Sequence, residues 1–401
     1  MLHAVLVPLG VVFVLFVFCA SLYVTGFAVL GLRKAPRKFC RTANTRFLVL
    51  VPAHNEGSGI VATLRSLRQA NYPRELMRMA VIADNCSDNT AEVARVCGFE
   101  VWIRNDPENH GKGQALSWAF DKAALAFDLA AVIDADTEVS PDFFAAMDSA
   151  YAEQLRKGRS CVALQGRYLF EQSGQSATWF EQFTIASKAA ENSFSYRPRS
   201  GLDLTNLIQG NGFCISHSAL EQVPFTATSV VEDSEYAVTL ALNGIQVVYV
   251  DDAQVISRIT HGLKDAAPQR VRWAGGTFYL FARSLPRLLW SAVTQRKWQL
   301  AEMALMLALT SRLLLIYATI LSVALLDLTY PFRHFDLVAW ALAASLALQS
   351  IYLYLVLRRA DYTPVPLYTI AFMPFYVGFL WAMQVGAMLG FGKRQWSRTV
   401  R

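Results

Sequence analysis

Two pairs of carboxylates in this 401-residue chain have the types and spacing of reactive groups. Asp134 and Asp136 follow an apolar run and are separated by one residue, which suits a hard divalent cation with open coordination positions, such as Mg²⁺ or Mn²⁺. Glu232 and Asp233 are adjacent carboxylates that follow the apolar run SVV. A turn or helix cap is the alternative for the first pair, and Asp233 could be the N-cap of a helix predicted over 234–242. We favour the chemical interpretation because both pairs directly follow apolar runs.

Alternating strand-like and helix-like segments must position these carboxylates. The segments RFLVLVPA, MAVIAD, FEVWIR and LAAVIDADTEV are typical of buried strands, and helices are predicted over 58–70, 90–97, 112–127 and after Pro141. Such alternation predicts an open parallel sheet wound from βα units. Ligands of such sheets bind outside the carboxyl ends of the strands, where the polar residues occur. These polar residues are His54, Asn55, Glu56, Asp84, Asn85, Ser87, Asp88, Asp134 and Asp136.

The usual phosphate-binding motifs are missing from the sequence. It contains no P-loop, and no GxGxxG follows the first strand, so the common cradles for ATP and dinucleotides are excluded. A phosphate-bearing ligand therefore needs another charge partner, which a metal at Asp134 and Asp136 supplies. His54 and His110 have no second histidine at ligand spacing, and we interpret both as hydrogen-bonding loop residues.

The apolar residues are concentrated at the two ends of the chain. The composition is 54% hydrophobic and only 17% charged, and the uncharged runs 4–32, 337–357 and 362–392 are each long enough to span ~30 Å of hydrocarbon. The first run is too long for a signal peptide, and its basic flank follows it. By the positive-inside rule, that flank predicts an external amino terminus and a cytoplasmic domain from residue 45 onward. The flank consists of Arg33, Lys34, Arg37, Lys38, Arg41 and Arg46.

The remaining compositional features agree with this placement. The six cysteines form no CxxC pair, which is consistent with a reducing compartment and argues against a zinc ribbon. The net charge of +6 is attributed partly to the membrane-flanking basic residues and does not indicate nucleic-acid binding.

The segment that joins the polar and apolar parts of the chain is predicted to lie in the membrane interface. Apolar and aromatic residues recur at near-helical spacing after QRVRW (269–273), and arginines are available to the other face. Gly275, Gly276 and Pro286 are expected to break this segment into short helices.

The number of membrane crossings is left open between two solutions. Three crossings after a cytoplasmic domain would put the basic tail 393–401 outside, whereas the positive-inside rule favours the cytosol. Either Arg312 divides 300–328 into an interfacial piece and a true span, or the last run, which contains three prolines, is re-entrant. We predict about four crossings in total.

Seven collinear motifs over 46–273 resemble the family 2 glycosyltransferases with a GT-A fold. They are VPAHNE, DNCSDNT, HGKGQAL, VIDADTEV, GNGFC, VVEDSEYAVTLALNGIQVVYV and QRVRW. Within the family they resemble the membrane-integrated branch of cellulose, hyaluronan, chitin-oligosaccharide and poly-N-acetylglucosamine synthases. The resemblance implies an α/β GT-A-type (Rossmann-like) nucleotide-sugar-binding domain plus α-helical transmembrane segments. It also implies a UDP-sugar donor, with UDP-glucose or UDP-N-acetylglucosamine first, and Mg²⁺ or Mn²⁺ as cofactor.

The resemblance assigns the donor-binding residues by position. Uridine and ribose would be held by Pro52, Ala53, Asn55 and Glu56, and Asp84 would contact the uracil edge. Lys112 matches a lysine near the base or the diphosphate. Asp134 and Asp136 match the metal-binding DxD, in which Asp134 also contacts the nucleotide sugar and Asp136 is the direct metal ligand.

The resemblance likewise assigns the base and the acceptor site. Glu232 and Asp233 match a TED triplet whose aspartate is the catalytic base, although Val231 replaces its threonine. The acceptor would contact Gly210, Asn211 and Gly212, for which a hairpin turn is the alternative. The floor of the acceptor site would consist of Gln269, Arg270, Arg272 and Trp273, with the tryptophan stacked on a sugar and an arginine facing diphosphate.

These expectations divide the chain and define its predicted activity. We predict a transmembrane helix with its basic flank (1–44), a cytoplasmic GT-A domain (45–267), the QRVRW motif with interfacial helices (268–298), transmembrane helices (299–392) and a basic tail (393–401). The predicted enzyme is an inverting β-glycosyltransferase of a bacterial-type inner membrane that extends a poly- or oligosaccharide. The alternatives are a transferase that adds one sugar to a lipid, as ceramide glucosyltransferases do, and a non-catalytic export or scaffold protein. The intact Asp134, Asp136, Asp233, Arg272 and Trp273 argue against the last.

Overall fold

The computed structural model describes residues 2–34, 43–123, 127–171, 177–227, 229–259, 263–309, 312–324, 335–361 and 365–390. The strands are β1 (Phe47–Ala53), β2 (Met77–Asp84), β3 (Glu100–Arg104), β4 (Leu129–Val132), β5 (Thr137–Val139), β6 (Val162–Phe170), β7 (Phe213–Ser216) and β8 (Gln246–Ser257). The helices of the α/β domain are α2 (Val61–Arg68), α3 (Thr90–Val96), α4 (Lys112–Lys122), α5 (Phe143–Arg156), α6 (Trp179–Glu191), α7 (Arg197–Gly201), α8 (His217–Gln222) and α9 (Glu232–Leu242). The flanking helices are α1 (Leu2–Gly31), α10 (Leu263–Thr294), α11 (Trp298–Ala308), α12 (Arg312–Ala324), α13 (Phe335–Arg359) and α14 (Met373–Met388).

One eight-stranded sheet forms the centre of the α/β domain, in the order β3-β2-β1-β4-β7-β6-β8-β5. Strands β3, β2, β1 and β4 are parallel, which confirms the βα-wound half of the prediction. The other half is mixed, because β7 is antiparallel to β4 and β6, and β5 is antiparallel to β8. The expectation of a wholly parallel sheet was wrong, since burial on both faces fixes a strand's surroundings but not its direction.

The segment LAAVIDADTEV, predicted as one strand, forms two strands with a turn between them. β4 ends at Val132 in the middle of the sheet, whereas β5 begins at Thr137 and pairs with β8 at its edge. The turn holds Asp134 and Asp136 directly after the carboxyl end of β4. Breaking the strand therefore exposes the two carboxylates at the edge where ligands of such sheets bind.

Most predicted helices of the α/β domain are confirmed, with shifts at their ends. A short 3₁₀ turn (Gly57–Ile60) and α2 cover the segment predicted as helix over 58–70, and α4 ends at Lys122 rather than at 127. The largest consequence concerns α9, which begins at Glu232 with Val231 as its N-cap. Asp233 thus lies inside the first turn, and its interpretation as the N-cap was wrong.

Three helices among the described residues are long and apolar enough to cross a membrane. They cover Pro8–Gly31, Asp336–Arg359 and Tyr368–Met388, and Leu315–Ala324 is a shorter apolar helix. Helices thereby occupy most of the described part of each uncharged run. The run 300–328 is divided, because α11 ends at Ala308 and α12 begins at Arg312. The side of the membrane for each terminus stays a prediction, and the tail 393–401 lies outside the described residues.

The segment after QRVRW is a single helix, α10, of 32 residues. Its expected division at Gly275, Gly276 and Pro286 was wrong. The glycines are sites of close packing, since a Cβ added at Gly276 would lie 2.6 Å from a methyl carbon of Val231. After QRVRW, α10 is amphipathic as predicted, with Leu280 and Leu288 buried and five large apolar residues exposed. The exposed residues are Phe278, Tyr279, Leu289, Trp290 and Val293.

A cluster of charged side chains fixes the flanking helices to the α/β domain. Asp361, which follows α13, accepts from Lys34 after α1 at 2.7 Å and from Arg197 of α7. Arg197 also donates to Asp251 of β8 at 2.8 Å, and Arg167 of β6 lies 3.4 Å from Asp361. Burial raises the pKa of the Asp361 carboxyl, but the bonds from Lys34 and Arg197 outweigh burial and hold that pKa below its ordinary value. The ends of α1 and α13 are thereby fixed beside strands β6 and β8.

Candidate active site

A cavity of about 700 Å³, here called the catalytic cavity, opens at the carboxyl ends of β1, β2 and β4. All the predicted site residues except Asn55, Asn211 and Gly212 line it. Those in its wall are Pro52, Ala53, Glu56, Asp84, Lys112, Asp134, Asp136, Gly210, Glu232, Asp233, Gln269, Arg270, Arg272 and Trp273. The structure therefore brings together side chains that are separated by up to 221 positions in the sequence.

Asn55 stabilises the loops behind the cavity. It adopts a left-handed conformation with φ of +55°, which asparagine tolerates better than most residues. Its side-chain oxygen accepts from the backbone N–H of Ser87 at 2.8 Å and of Asp88 at 3.3 Å. The bonds connect the loop after β1 to the loop after β2, so that Asn55 positions its neighbours instead of lining the wall.

Asn211 and Gly212 support the turn that carries the DxD. The Asn211 side chain is buried, donates to the Thr137 hydroxyl at 2.6 Å and accepts from the backbone N–H of Asp134 at 3.1 Å. Gly212 packs closely on β8, since a Cβ there would lie 2.6 Å from a methyl carbon of Val255. These two residues therefore hold Asp134 from behind.

The carboxylates of Asp134 and Asp136 fit a divalent cation whose other ligands come from a bound molecule. Both carboxylates line the cavity, and the described residues contain no group of three or more His, Cys, Asp or Glu side chains that could hold a metal alone. A structural zinc site needs four protein ligands, so the two carboxylates alone do not form a structural zinc site. Mg²⁺ and Mn²⁺ accept one or two carboxylates together with phosphate and water oxygens. The residues present therefore fit the predicted cation.

Lys112, the first residue of α4, connects the DxD to the backbone at Gly210. Its ammonium donates to the Asp134 carboxylate and to the carbonyl of Gly210. Burial opposes the charge, but the carboxylates of Asp134, Glu232 and Asp233 outweigh it and hold the pKa of Lys112 above its ordinary value. The side chain is therefore a permanent cation among three carboxyl groups.

The first turn of α9 presents Glu232 and Asp233 to the cavity beside Lys112. Burial raises the pKa of the Asp233 carboxyl, although the hydrogen bond from the Ser234 N–H and the charge of Lys112 oppose the rise. Burial and the adjacent Asp233 raise the pKa of Glu232, which Lys112 partly offsets. A carboxylate with a raised pKa is a better proton acceptor, which favours this pair as the site of a general base.

Arg104 is a site residue that the sequence analysis missed. Its guanidinium donates to the buried Asp84 carboxylate at 2.7 Å, and it also pairs with Asp106 at 3.0 Å. Asp84 and Arg104 end the neighbouring strands β2 and β3 and stand opposite each other in their register. The signal was therefore present in the sequence as two charged residues that end adjacent predicted strands.

α10 and α6 complete the wall on the side of the apolar helices. The Arg270 guanidinium lies 5.5 Å from the ring centre of Trp273, a cation–π geometry, and both side chains line the cavity. Opposite them are Lys188, Glu191 and Tyr196, which the sequence analysis did not identify. Tyr196 ends a π-helical turn (Asn192–Tyr196) that continues α6, and such turns are frequent at functional sites.

Residues 44–276 match the protein-family model described as Glycosyltransferase like family 2. A protein named probable glycosyltransferase YdaM, from Bacillus subtilis (strain 168), is 24% identical over 257 residues, which are 59% of this chain and 56% of that protein. The cellulose synthase catalytic subunit (UDP-forming) of Pseudomonas fluorescens (strain SBW25) is 26% identical over 250 residues, or 60% of this chain and 32% of that protein. The chain thus spans between a third and just over half of the length of these relatives.

Among solved structures, the chain is similar to the mannosyltransferase PcManGT from Pyrobaculum calidifontis, determined in complex with GDP-Man and Mn²⁺. The TM-score is 0.58 at 17% identity, and the match covers 96% of this chain and 99% of that chain. At this level of identity the likeness shows a shared fold, and it extends over the flanking helices as well as the α/β domain.

Proposed function

The chain belongs to the glycosyltransferase-like family 2 and has the GT-A fold, and we propose that it transfers a sugar from a UDP-sugar to an acceptor hydroxyl at the membrane. One observation carries the proposal: the DxD with Lys112 and the Glu232–Asp233 pair face the same cavity. This arrangement supports the proposal, because sugar transfer needs a group that binds diphosphate and a group that takes a proton at one reacting centre.

We assign the donor to the wall formed by β1, β2 and the DxD turn. Pro52, Ala53, Glu56 and Asp84 would contact the nucleoside, in agreement with their position at the strand ends. Asp134 and Asp136 would hold Mg²⁺ or Mn²⁺, and the Mn²⁺ in the complex of PcManGT supports this assignment. When bound, the cation neutralises charge on the leaving diphosphate. Lys112 holds Asp134 in place, and Arg272 supplies a second positive charge at the cavity wall.

We assign the base to Asp233. Its carboxylate would accept the proton of the acceptor hydroxyl while the oxygen attacks the anomeric carbon, which then releases the diphosphate. A single displacement inverts the anomeric centre, so that an α-linked donor gives a β-linked product. Glu232 would remain beside the base and share its titration.

Two classes of acceptor fit this chemistry. The likeness to a cellulose synthase catalytic subunit supports a growing poly- or oligosaccharide. A hydroxyl-bearing membrane lipid is the second candidate, and the apolar helices around the site favour it. In either case we propose that the α/β domain lies on the cytoplasmic side of a multi-pass membrane protein.

The test of the proposed function is transfer from a panel of radiolabelled donors. Purified membranes that contain the protein would be incubated with UDP-glucose, UDP-N-acetylglucosamine and GDP-mannose, with and without EDTA. We expect transfer from a UDP-sugar, a loss of at least about tenfold with EDTA, and recovery on addition of Mn²⁺ or Mg²⁺. If the folded protein neither binds nor uses any of these donors, the scaffold alternative is correct.

A substitution at Gly210 tests the position of the base. A Cβ at Gly210 would lie 2.9 Å from the Asp233 Oδ2, and Gly210 has a φ of +79°. We expect Gly210→Ala to displace the carboxylate and lower kcat by about 10- to 100-fold. Gly158→Ala is the matched control, because Gly158 has a φ of +76° with no atom within 4 Å of the added Cβ. Equal losses in the two variants would show that backbone strain, and not displacement of Asp233, is the cause.

A further inference from the structure

A second chamber of about 710 Å³ lies among the apolar helices and is continuous with the catalytic cavity. We call it the membrane chamber; its wall is formed by residues of α1, α6, α12, α13 and α14, together with part of α10. The two spaces share eight lining residues, among them Glu191, Tyr196, Arg270 and Trp273, and we call this shared part the throat. A molecule that reacts at Asp233 can therefore extend directly into the membrane chamber.

Aliphatic and aromatic side chains predominate in the membrane chamber, and several polar groups in its wall are hydrogen-bonded within the protein. The hydroxyls of Ser21, Thr25 and Ser350 each donate to a backbone carbonyl of α1 or α13, at 2.8 to 3.0 Å. The side-chain amide of Gln349 donates to the Ser21 hydroxyl at 3.0 Å. Thr25 and Gln349 thereby cross-link α1 and α13, and all four groups have little hydrogen-bonding capacity left for an occupant.

The charged group deepest in the chamber wall is also paired. The guanidinium of Arg199, which is only 2% exposed, lies 3.2 Å from the Glu302 carboxylate and donates to the Ser195 carbonyl at 2.9 Å. A saccharide chain carries several hydroxyls on every sugar, and each would lose hydrogen bonds to water on entering such a wall. A hydrocarbon chain would lose none and would gain the burial of apolar surface.

The throat contains a hydrogen-bond donor that has no partner within the described part of the protein. The Nε atom of Arg270 is buried and has no hydrogen-bond partner among the described residues. The same guanidinium faces the Trp273 ring, and Tyr196 stands at the end of the π-helical turn. A polar head group in the throat would satisfy the arginine, while the tryptophan offers a flat apolar surface beside it.

We propose that the acceptor is a lipid of the surrounding bilayer, with its hydroxyl-bearing head in the throat and its hydrocarbon chain in the membrane chamber. The proposal rests on the sugar transfer proposed above and names its acceptor. The head-group oxygen forms a bond to the anomeric carbon of the donor, and the bond from that carbon to the diphosphate breaks. The hydroxyl proton passes to Asp233, and the nucleoside diphosphate leaves.

Two tryptophan substitutions on α13 test the proposal. Leu353 lines the membrane chamber and Ile351 does not, although the two residues are similarly exposed, at 40% and 47%. Wild type, Leu353→Trp and Ile351→Trp would be incubated in native membranes with the radiolabelled donor, and the label would be separated into butanol-soluble lipid and ethanol-insoluble polymer. Binding of the UDP-sugar to each purified protein would be measured in parallel.

We expect the label of the wild type to enter the butanol phase as a single-sugar lipid. Leu353→Trp should lower this labelling by at least tenfold with unchanged donor affinity, and Ile351→Trp should retain it. Label in polymer, equal activity of the two variants, or donor binding without label in either phase would each overturn the lipid proposal. Failure of the wild type to bind any donor would instead overturn the proposed sugar transfer.

Discussion

Replacing Asp233 with asparagine is expected to lower kcat for sugar transfer by about 10²- to 10⁴-fold, the usual contribution of a general base. The amide keeps the size of the side chain but has no basic oxygen for the acceptor proton. Because the nucleoside contacts are assigned to the opposite wall, donor affinity should change by less than about threefold, corresponding to about 0.7 kcal/mol. The structural reason is that Asp233 lies in the first turn of α9, whereas Pro52 and Asp84 end β1 and β2.

The pH dependence gives this substitution a signature that simple unfolding would not produce. The base acts only when it is deprotonated, so the rate should fall as the pH falls through the pKa of the Glu232–Asp233 pair. Burial raises the pKa of both carboxyls, so the loss should begin at a higher pH than for an exposed aspartate. The apparent value belongs to the coupled pair and not to one residue. In Asp233→Asn this acidic limb should disappear from the residual activity.

Glu235→Gln is the matched control for Asp233→Asn. Glu235 belongs to the same turn of α9 but is not part of the cavity wall, so we expect its kcat to stay within about twofold of wild type. Both variants would be compared by donor binding and by initial rates between pH 5 and 9. Retention of wild-type turnover by Asp233→Asn would show that another group takes the proton.

The parallel half of the sheet and the cavity at its edge could be predicted because local sequence encodes both. β1 and β4 are uninterrupted apolar runs with polar residues directly after them, and a strand of this kind is buried on both faces. The second half could not be predicted in the same way. The direction of β7 depends on the path of the chain through α6 and the π-helical turn, for which the sequence has no local signal.

The same distinction applies to the residues of the site. Asp134, Lys112 and Asp233 stand in short motifs, and all three line the catalytic cavity. Arg104 and Tyr196 stand in no motif, and they reach the site through strand register and a widened helical turn. Motif analysis therefore finds most of the residues that line the cavity, including Arg270 and Trp273, and overlooks Arg104 and Tyr196.

α10 shows how packing overrides local propensity. Glycine and proline inside a helix disfavour it by about 1 and 3 kcal/mol, and the sequence analysis accordingly placed breaks there. In the structure, Gly276 lets α10 approach Val230 and Val231, directly before the turn that carries Asp233. The contact between Gly276 and the two valines thus offsets the loss of helix propensity, and neither segment alone predicts it. It also joins α10 to the turn that carries the proposed base.

Replacing Lys112 with methionine is expected to lower kcat/KM by about 10²- to 10³-fold, the range found when one charged or hydrogen-bonding stabiliser is removed from a reacting centre. The ammonium holds the Asp134 carboxylate and the Gly210 carbonyl, and Gly210 packs beside Asp233. Its loss would therefore disturb both the proposed metal-binding carboxylate and the position of the base. Methionine retains the apolar length of the side chain, so the cavity wall should remain filled.

The same variant should move the acidic limb of the rate profile to higher pH. Lys112 opposes the rise in pKa of both Glu232 and Asp233, so its removal leaves the pair harder to deprotonate. Lys122→Met is the control, because Lys122 is exposed on the same helix and lies over the rings of Trp102 and Trp118. We expect that control to retain the wild-type profile. An unchanged acidic limb in Lys112→Met, alongside a large loss of rate, would confine the role of the lysine to the donor side and separate it from the base.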